Sequence, residues 1–279
     1  MQTVFVRHNC SSTQHVLEQL WKRRLIALHY ENKLSTNPAD YGPKGRNALK
    51  RLWKYCTSGA IVGADYRRLG RAAMLVGELP KNSRVQGEEF RDPDTGHTFI
   101  YKVAVLHRAR EVRFVDYPLL LGRQPRQATI TGWPSAARVL EAAIHNHPLP
   151  YDASCLHPSQ LEVLCYEYLR ERHHLERLLM PIGRSLLDID ILGLDKDGNK
   201  VLAQVTHSMS KSKLDDKRQR LLQHALPSDK CFFFVPERAP LAVSPNVESI
   251  PITRVLSALK ASSRVSTKRM LSEMFAGHS

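Results

Sequence analysis

The chain has 279 residues, 42% of them apolar, which is length and hydrophobicity enough for two folded cores. Its 41 Lys and Arg against 27 Asp and Glu give a net charge of +14, so a polyanion is the first partner to consider, nucleic acid ahead of an acidic membrane surface. No apolar run approaches the roughly 20 residues that span a bilayer and the N-terminal stretch has no secretory core, so a cytoplasmic protein is expected; five widely spaced cysteines without a CxxC argue against a disulfide framework or a structural zinc site.

In chain order, the pattern predicts a strand over residues 3–7, then a helix capped by Ser11, Ser12 and Thr13 and running through Trp21 to Arg24, then an apolar strand over 25–30. After a Pro/Gly-rich loop, helical spacing covers 45–55, strands follow over 60–66, 72–79 and 98–107, and a helical pattern covers 136–144. This is a small, mostly antiparallel α/β unit that suits a compact barrel better than a parallel nucleotide-binding sheet. A seam rich in Pro and polar residues follows, with the boundary near residue 148. Residues 1–147 carry 23 basic and 12 acidic side chains, a surplus of +11, and the remainder carries 18 and 15, a surplus of +3. A charged binding half joined to a nearly neutral second half implies two jobs.

The second half reads as a helix over 157–174, a β-hairpin whose strands cover 186–193 and 200–206 around a turn at 195–199, a helix over 214–225, strands over 230–235 and 247–252, and a helix over 254–261. In the hairpin Asp188 and Asp190 alternate with Leu187, Ile189 and Ile191, so period 2 places both acids on one face. Gln204 stands on the partner strand, 14 residues beyond Asp190, with Thr206 on its own face. Such oxygen donors suit Mg²⁺, which takes one or two carboxylates and keeps several waters. An Asp-x-Asp between apolar residues is, taken alone, usually an exposed edge strand; the joint spacing of helix acid, hairpin acids and Gln-x-Thr carries the reading. His173 and His174, adjacent on a helix, share no face and read as surface.

Pro158-x-x-Leu161-Glu162, the Leu-Asp-Ile-Asp-Ile-Leu-Gly strand and Ala203-Gln204-Val205-Thr206 resemble the PD-(D/E)XK nuclease core, in particular that of Mrr-like restriction endonucleases, over about residues 158–260. The resemblance implies an α+β fold with a mixed sheet flanked by helices over 148–279. It implies Glu162 as the helix acid, Asp190 or Asp188 as the metal-binding Asp and Gln204 as the second ligand position, with Mg²⁺ or Mn²⁺ as cofactor. The family's lysine is Thr206 here, and a hydroxyl cannot replace an ammonium electrostatically. Lys211 and Lys213, five and seven residues on, are the candidates to reach back into the site.

In the first half, the segments around Trp21 to Tyr30, 60–66, 75–78 and 125–133 are similar to the PUA/EVE superfamily of small β-barrels. That similarity implies a domain over 1–147 that binds RNA or holds a flipped, modified DNA base. A flipped base needs stacking surfaces with cationic phosphate contacts around them. Trp21, Tyr30, Trp53, Tyr66 and Trp133 are the aromatic candidates, Trp21 and Tyr30 foremost. Arg23, Arg24, Arg67, Arg68, Arg71, Arg123 and Arg126 are the phosphate candidates. Together the two halves imply a Mg²⁺-dependent DNA endonuclease of restriction or phage-defence type, modification-dependent, with no membrane association. One such site cuts one strand, so a homodimer is expected. Two other readings stay open: an inactive nuclease-fold DNA-binding protein, in which Thr206 marks lost chemistry, and an RNA-directed reader or nuclease.

Overall fold

The computed structural model describes residues 1–8, 13–125, 129–182, 188–240 and 244–275. The expectations placed on Cys10, Ser11, Ser12, Arg126 and Leu187 lie outside those residues. The fold is mixed α+β, and the chain divides into two compact units, 1–149 and 150–274.

The first unit contains β1 (Gln2–Arg7), α1 (Gln14–Lys22), β2 (Leu25–Leu28), α2 (Pro43–Ser58), β3 (Ala60–Asp65), β4 (Ala73–Leu79), β5 (Gln86–Arg91), β6 (Thr98–Val105), β7 (His107–Arg113), α3 (Pro118–Gly122), β8 (Ile130–Gly132) and α4 (Ala137–His145). A five-stranded sheet has the order β7-β4-β3-β1-β8, and a three-stranded sheet the order β2-β6-β5. The described strands form no closed barrel, and at the centre of the larger sheet β1 pairs with β3 in parallel. Val4-Phe5-Val6 and residues 60–64 of β3 are apolar and buried, the composition of strands covered on both sides. Trp133 lies across β3 at Gly63, where a Cβ would stand 2.7 Å from its ring, so only glycine lets the indole pack there.

The second unit contains α5 (Pro158–Arg172), β9 (Leu175–Leu178), β10 (Ile191–Asp195), β11 (Lys200–Val205), α6 (Lys211–Gln223), β12 (Lys230–Val235), β13 (Glu248–Pro251), α7 (Ile252–Lys260) and α8 (Val265–Met274). Its sheet has the order β13-β12-β11-β10-β9: β10 and β11 form the antiparallel hairpin, while β11, β12 and β13 run parallel. Phe233 packs with Leu214 and Leu221 of α6, whereas its neighbour Phe234 meets Tyr168 of α5 edge to face at 6.1 Å. Alternate residues of β12 thus put α6 and α5 on opposite faces of the sheet. The hairpin turn is tied down by Asp195, which accepts from the main-chain N–H of Asp197 and Asn199 and from Lys230 Nζ at 2.6 Å. Among the described residues no helix is long and apolar enough to cross a membrane.

Candidate active site

Helix α5 starts where His157 and Gln160 form a reciprocal capping box, each satisfying a backbone donor of the first turn. Its stripe Leu161, Leu164, Cys165, Tyr168 and Leu169 is buried, and this register brings Glu162 to the margin of the sheet, half-buried. The chain reaches the same place from the other side through residues 188–190, which precede β10, and through Gln204, the penultimate residue of β11.

There the side chains converge. Asp190 Oδ2 accepts from the Val205 main-chain N–H at 2.7 Å and from Gln204 Nε2 at 2.6 Å. The Asp190 main-chain N–H in turn donates to Ala203 O at 2.9 Å, which extends the hairpin by one bond beyond β10. Donating its amide nitrogen to Asp190 leaves Gln204 with a buried Oε1 that has no hydrogen-bond partner among the described residues. A buried acceptor without a donor is costly, and it marks a place where an additional group would be stabilised.

Glu162 shares this environment. Burial pushes its carboxyl up to about 7, the negative charge of Asp190 pushes in the same direction, and the Lys217 ammonium opposes both. Burial also raises the Asp190 carboxyl, against the Val205 N–H, the Lys217 charge and the Gln204 amide, which lower it. Two carboxyls held close in a poorly solvated place prefer not to ionise together. Cys165, one helical turn from Glu162 and fully buried, has its thiol raised well above the usual range by burial and then by the same two acids. It is an inert packing group beside the cluster.

Lys217 is the residue that the sequence spacing did not single out. Its position three residues after Leu214 and four before Leu221, the two buried residues of α6, places it on the sheet-facing side of the helix. Lys211 and Lys213 are exposed in the first turn of α6, so the cation that acts on the acids is supplied farther along the helix than expected. The signal was present as a basic residue on the apolar stripe of a highly charged helix, masked by the nine charged or polar residues around it.

Two other expectations change. Asp188 and Asp190 have different partners: Asp188 faces Arg220 at 3.5 Å and His224 at 3.7 Å. Regular strand geometry begins only at Ile191, so the two-residue period does not govern 188–190. Thr206 is buried, and its Oγ1 accepts from the Ser208 N–H at 3.1 Å; the hydroxyl shapes the turn into α6.

In the first unit three of the aromatic candidates, Trp21, Tyr66 and Trp133, are buried, and Tyr30 and Trp53 are half-buried. Trp133 is buried, donates Nε1 to Arg123 O at 2.8 Å and meets Phe5 edge to face at 5.1 Å. Tyr66 is buried, stacks on His8 at 3.9 Å and donates its hydroxyl to Leu25 O. Trp21 meets Tyr66 edge to face at 5.2 Å beneath Arg71. Tyr30 and Trp53 are half-buried, the first 3.3 Å from Thr129 Oγ1 and the second bonded to Thr36 O at 2.9 Å. Arg24 and Arg68 are exposed; Arg123 is buried. Arg23, Arg67 and Arg71 pair with Glu88, Asp65 and Glu111 at 2.7, 3.5 and 3.9 Å.

Two half-buried carboxyls and a buried amide oxygen are hard donors of the kind Mg²⁺ or Mn²⁺ takes; among the described residues no group of three or more His, Cys, Asp or Glu is placed to hold a metal ion. A cavity of about 760 Å³ lies elsewhere in the second unit, lined by Arg172, His173, Lys230, Phe232 and Glu248 among others, and it includes none of the clustered acids.

No family model and no curated protein matches the chain. Among solved structures it is similar to a repair endonuclease from Pyrococcus abyssi, at 11% identity and a TM-score of 0.21 over 64% of this chain and 73% of that one. It is also similar to an EndoMS–double-stranded DNA complex, at 13% identity and a TM-score of 0.21 over 67% of this chain and 69% of that one. At scores this low the chemistry rests on the geometry of the Asp190 cluster.

Proposed function

We propose that the second unit is a metal-dependent nuclease that hydrolyses phosphodiester bonds in DNA, and that the first unit grips the nucleic acid. The observation that carries this reading is the hydrogen bond of Gln204 to Asp190, with the Gln204 Oε1 buried and without a partner among the described residues and with Glu162 and Lys217 near enough for charge to act between them and Asp190. Asp190, Glu162 and Gln204 would hold a Mg²⁺ or Mn²⁺ ion. When bound, such an ion lowers the pKa of a coordinated water and neutralises charge on the scissile phosphate.

The chain's own groups have separate tasks. The Val205 N–H and the Gln204 amide anchor Asp190 through Oδ2, so its carboxyl is positioned before any ligand arrives. Glu162, whose carboxyl burial pushes up to about 7 in the metal-free chain, meets a cation as a carboxylate above that pH. Lys217 supplies the positive charge that Thr206 lacks, stabilising the negative charge that builds on a phosphate during attack. The restriction or phage-defence role, the preference for modified bases and a homodimer that cuts both strands are finer proposals that follow from the family resemblance.

The test is incubation of the full chain with supercoiled plasmid in Mg²⁺ and in EDTA. Nicked or linear product in Mg²⁺ alone supports the reading; an unchanged plasmid in both Mg²⁺ and Mn²⁺ overturns it and favours a nuclease fold that only binds.

A further inference from the structure

We infer that the outer face of α2 is a docking surface for the phosphate backbone of duplex DNA. The inference deepens the proposed nuclease reading by naming the element that grips the substrate, and it rests on that reading for the identity of the polyanion.

Helix α2 carries five cations, Lys44, Arg46, Lys50, Arg51 and Lys54, and no acid in 16 residues. Its inner face, Gly45, Ala48, Leu49, Leu52, Tyr55 and Cys56, is buried, so all five cations lie on the exposed side. Gly45 seats the first turn tightly, since a Cβ there would stand 3.1 Å from Tyr30. Arg51 reaches across to Ile130 O at 3.1 Å and ties the helix to β8.

The remaining four stand together on one helix face, in contrast to the cations of this unit that are held in ion pairs. Of the arginines first expected to meet phosphate, Arg23, Arg67 and Arg71 have acid partners, as do Arg108 with Glu78 at 3.7 Å and Arg113 with Asp116 at 2.8 Å, whereas Arg24 and Arg68 are exposed like the cations of α2. Among the described residues no ion pair involves Lys44, Arg46, Lys50 or Lys54. Uncompensated like charges one turn apart destabilise a helix modestly, and a polyanion removes that repulsion. From Lys44 to Lys54 the helix rises about 15 Å, the length of about four phosphates along one strand at roughly 3.4 Å each.

The exposed face favours a nucleic acid over an anionic membrane. A helix that lies in a bilayer interface presents an apolar face to the acyl chains, whereas the apolar side of α2 is committed to the core, and Asn47 joins the cations outside.

The experiment is fluorescence anisotropy of a labelled DNA duplex with the full chain in EDTA, between 50 and 200 mM KCl. The variant replaces Lys44, Arg46, Lys50 and Lys54 by Ala, the residue most favourable to a helix, and its circular dichroism and thermal unfolding verify folding. The wild type should bind with a steep salt dependence, and the variant should lose roughly three to four from the log–log slope and bind at least tenfold more weakly at 50 mM. Equal affinity and slope overturn the inference, as does stronger wild-type binding to phosphatidylserine vesicles than to the duplex. Because binding is read without metal, a wild type that binds but never cuts in Mg²⁺ removes the nuclease reading and leaves α2 in place. One that cuts, with a variant that binds undiminished, does the reverse.

Discussion

Gln204 donates its amide to Asp190 Oδ2 at 2.6 Å and leaves its own oxygen buried without a partner among the described residues. One hydrogen bond both fixes a carboxyl and creates an acceptor that asks for a cation. Replacing Gln204 by Leu removes the bond and the orphan together. Calorimetric titration of the wild type with Mn²⁺ should give a binding isotherm, and the Leu variant should bind at least tenfold more weakly; equal affinities would remove Gln204 from the site.

Lys217 should carry the catalytic positive charge. Lys217→Met keeps length and helix propensity while deleting the ammonium, and should lower kcat by about 10²–10³ with little change in the melting temperature. Lys211→Met and Lys213→Met, which alter exposed first-turn residues, should stay within about threefold of the wild type. The three rates measured side by side separate the two placements of the charge.

The acid pair sets a pH signature in the metal-free protein. The Glu162 carboxyl is raised from 4.5 to about 7 and Asp190 moves the same way, so these two groups hold more protons in the folded chain than in the unfolded chain as pH rises toward 7. By linkage, stability contributed by these groups is fully present below the unfolded pKa and is lost as pH rises through the folded one. Denaturant midpoints in EDTA should therefore rise more on going from pH 7.5 to 5.5 in the wild type than in Glu162→Gln, where part of this dependence is gone. Identical pH dependence in both proteins would contradict the shared environment.

Trp133 tests the reading of the first unit. It was a candidate for base stacking, and it is buried over Gly63. Trp133→Ala should cost about 3–5 kcal/mol in urea unfolding. A stable variant with weakened DNA binding would restore the aromatic-pocket reading.

The hairpin, the flanking helices and the 14-residue step from Asp190 to Gln204 were legible because a two-residue period, turn residues and apolar stripes are local signals. The strand over 230–235 is bounded in the fold as in the sequence, since Cys-Phe-Phe-Phe-Val has no other way to be buried. What escaped was set by context. The parallel pairing of β1 with β3 is a long-range choice that local pattern does not encode. Strand β9, Leu-Glu-Arg-Leu, is an exposed edge with one buried residue and too little alternation to read. The parting of Asp188 from Asp190 depends on where regular strand begins, and the approach of Lys217 to both acids depends on how α6 lies on the sheet.

The central claim is that the Asp190 cluster cuts DNA. Its most direct test is the initial rate of plasmid nicking in Mg²⁺ by the wild type and by Asp190→Asn, which keeps the shape and removes the charge. The account predicts product from the wild type and a loss of at least 10³-fold in the variant at unchanged duplex affinity. Undiminished nicking by Asp190→Asn would contradict it.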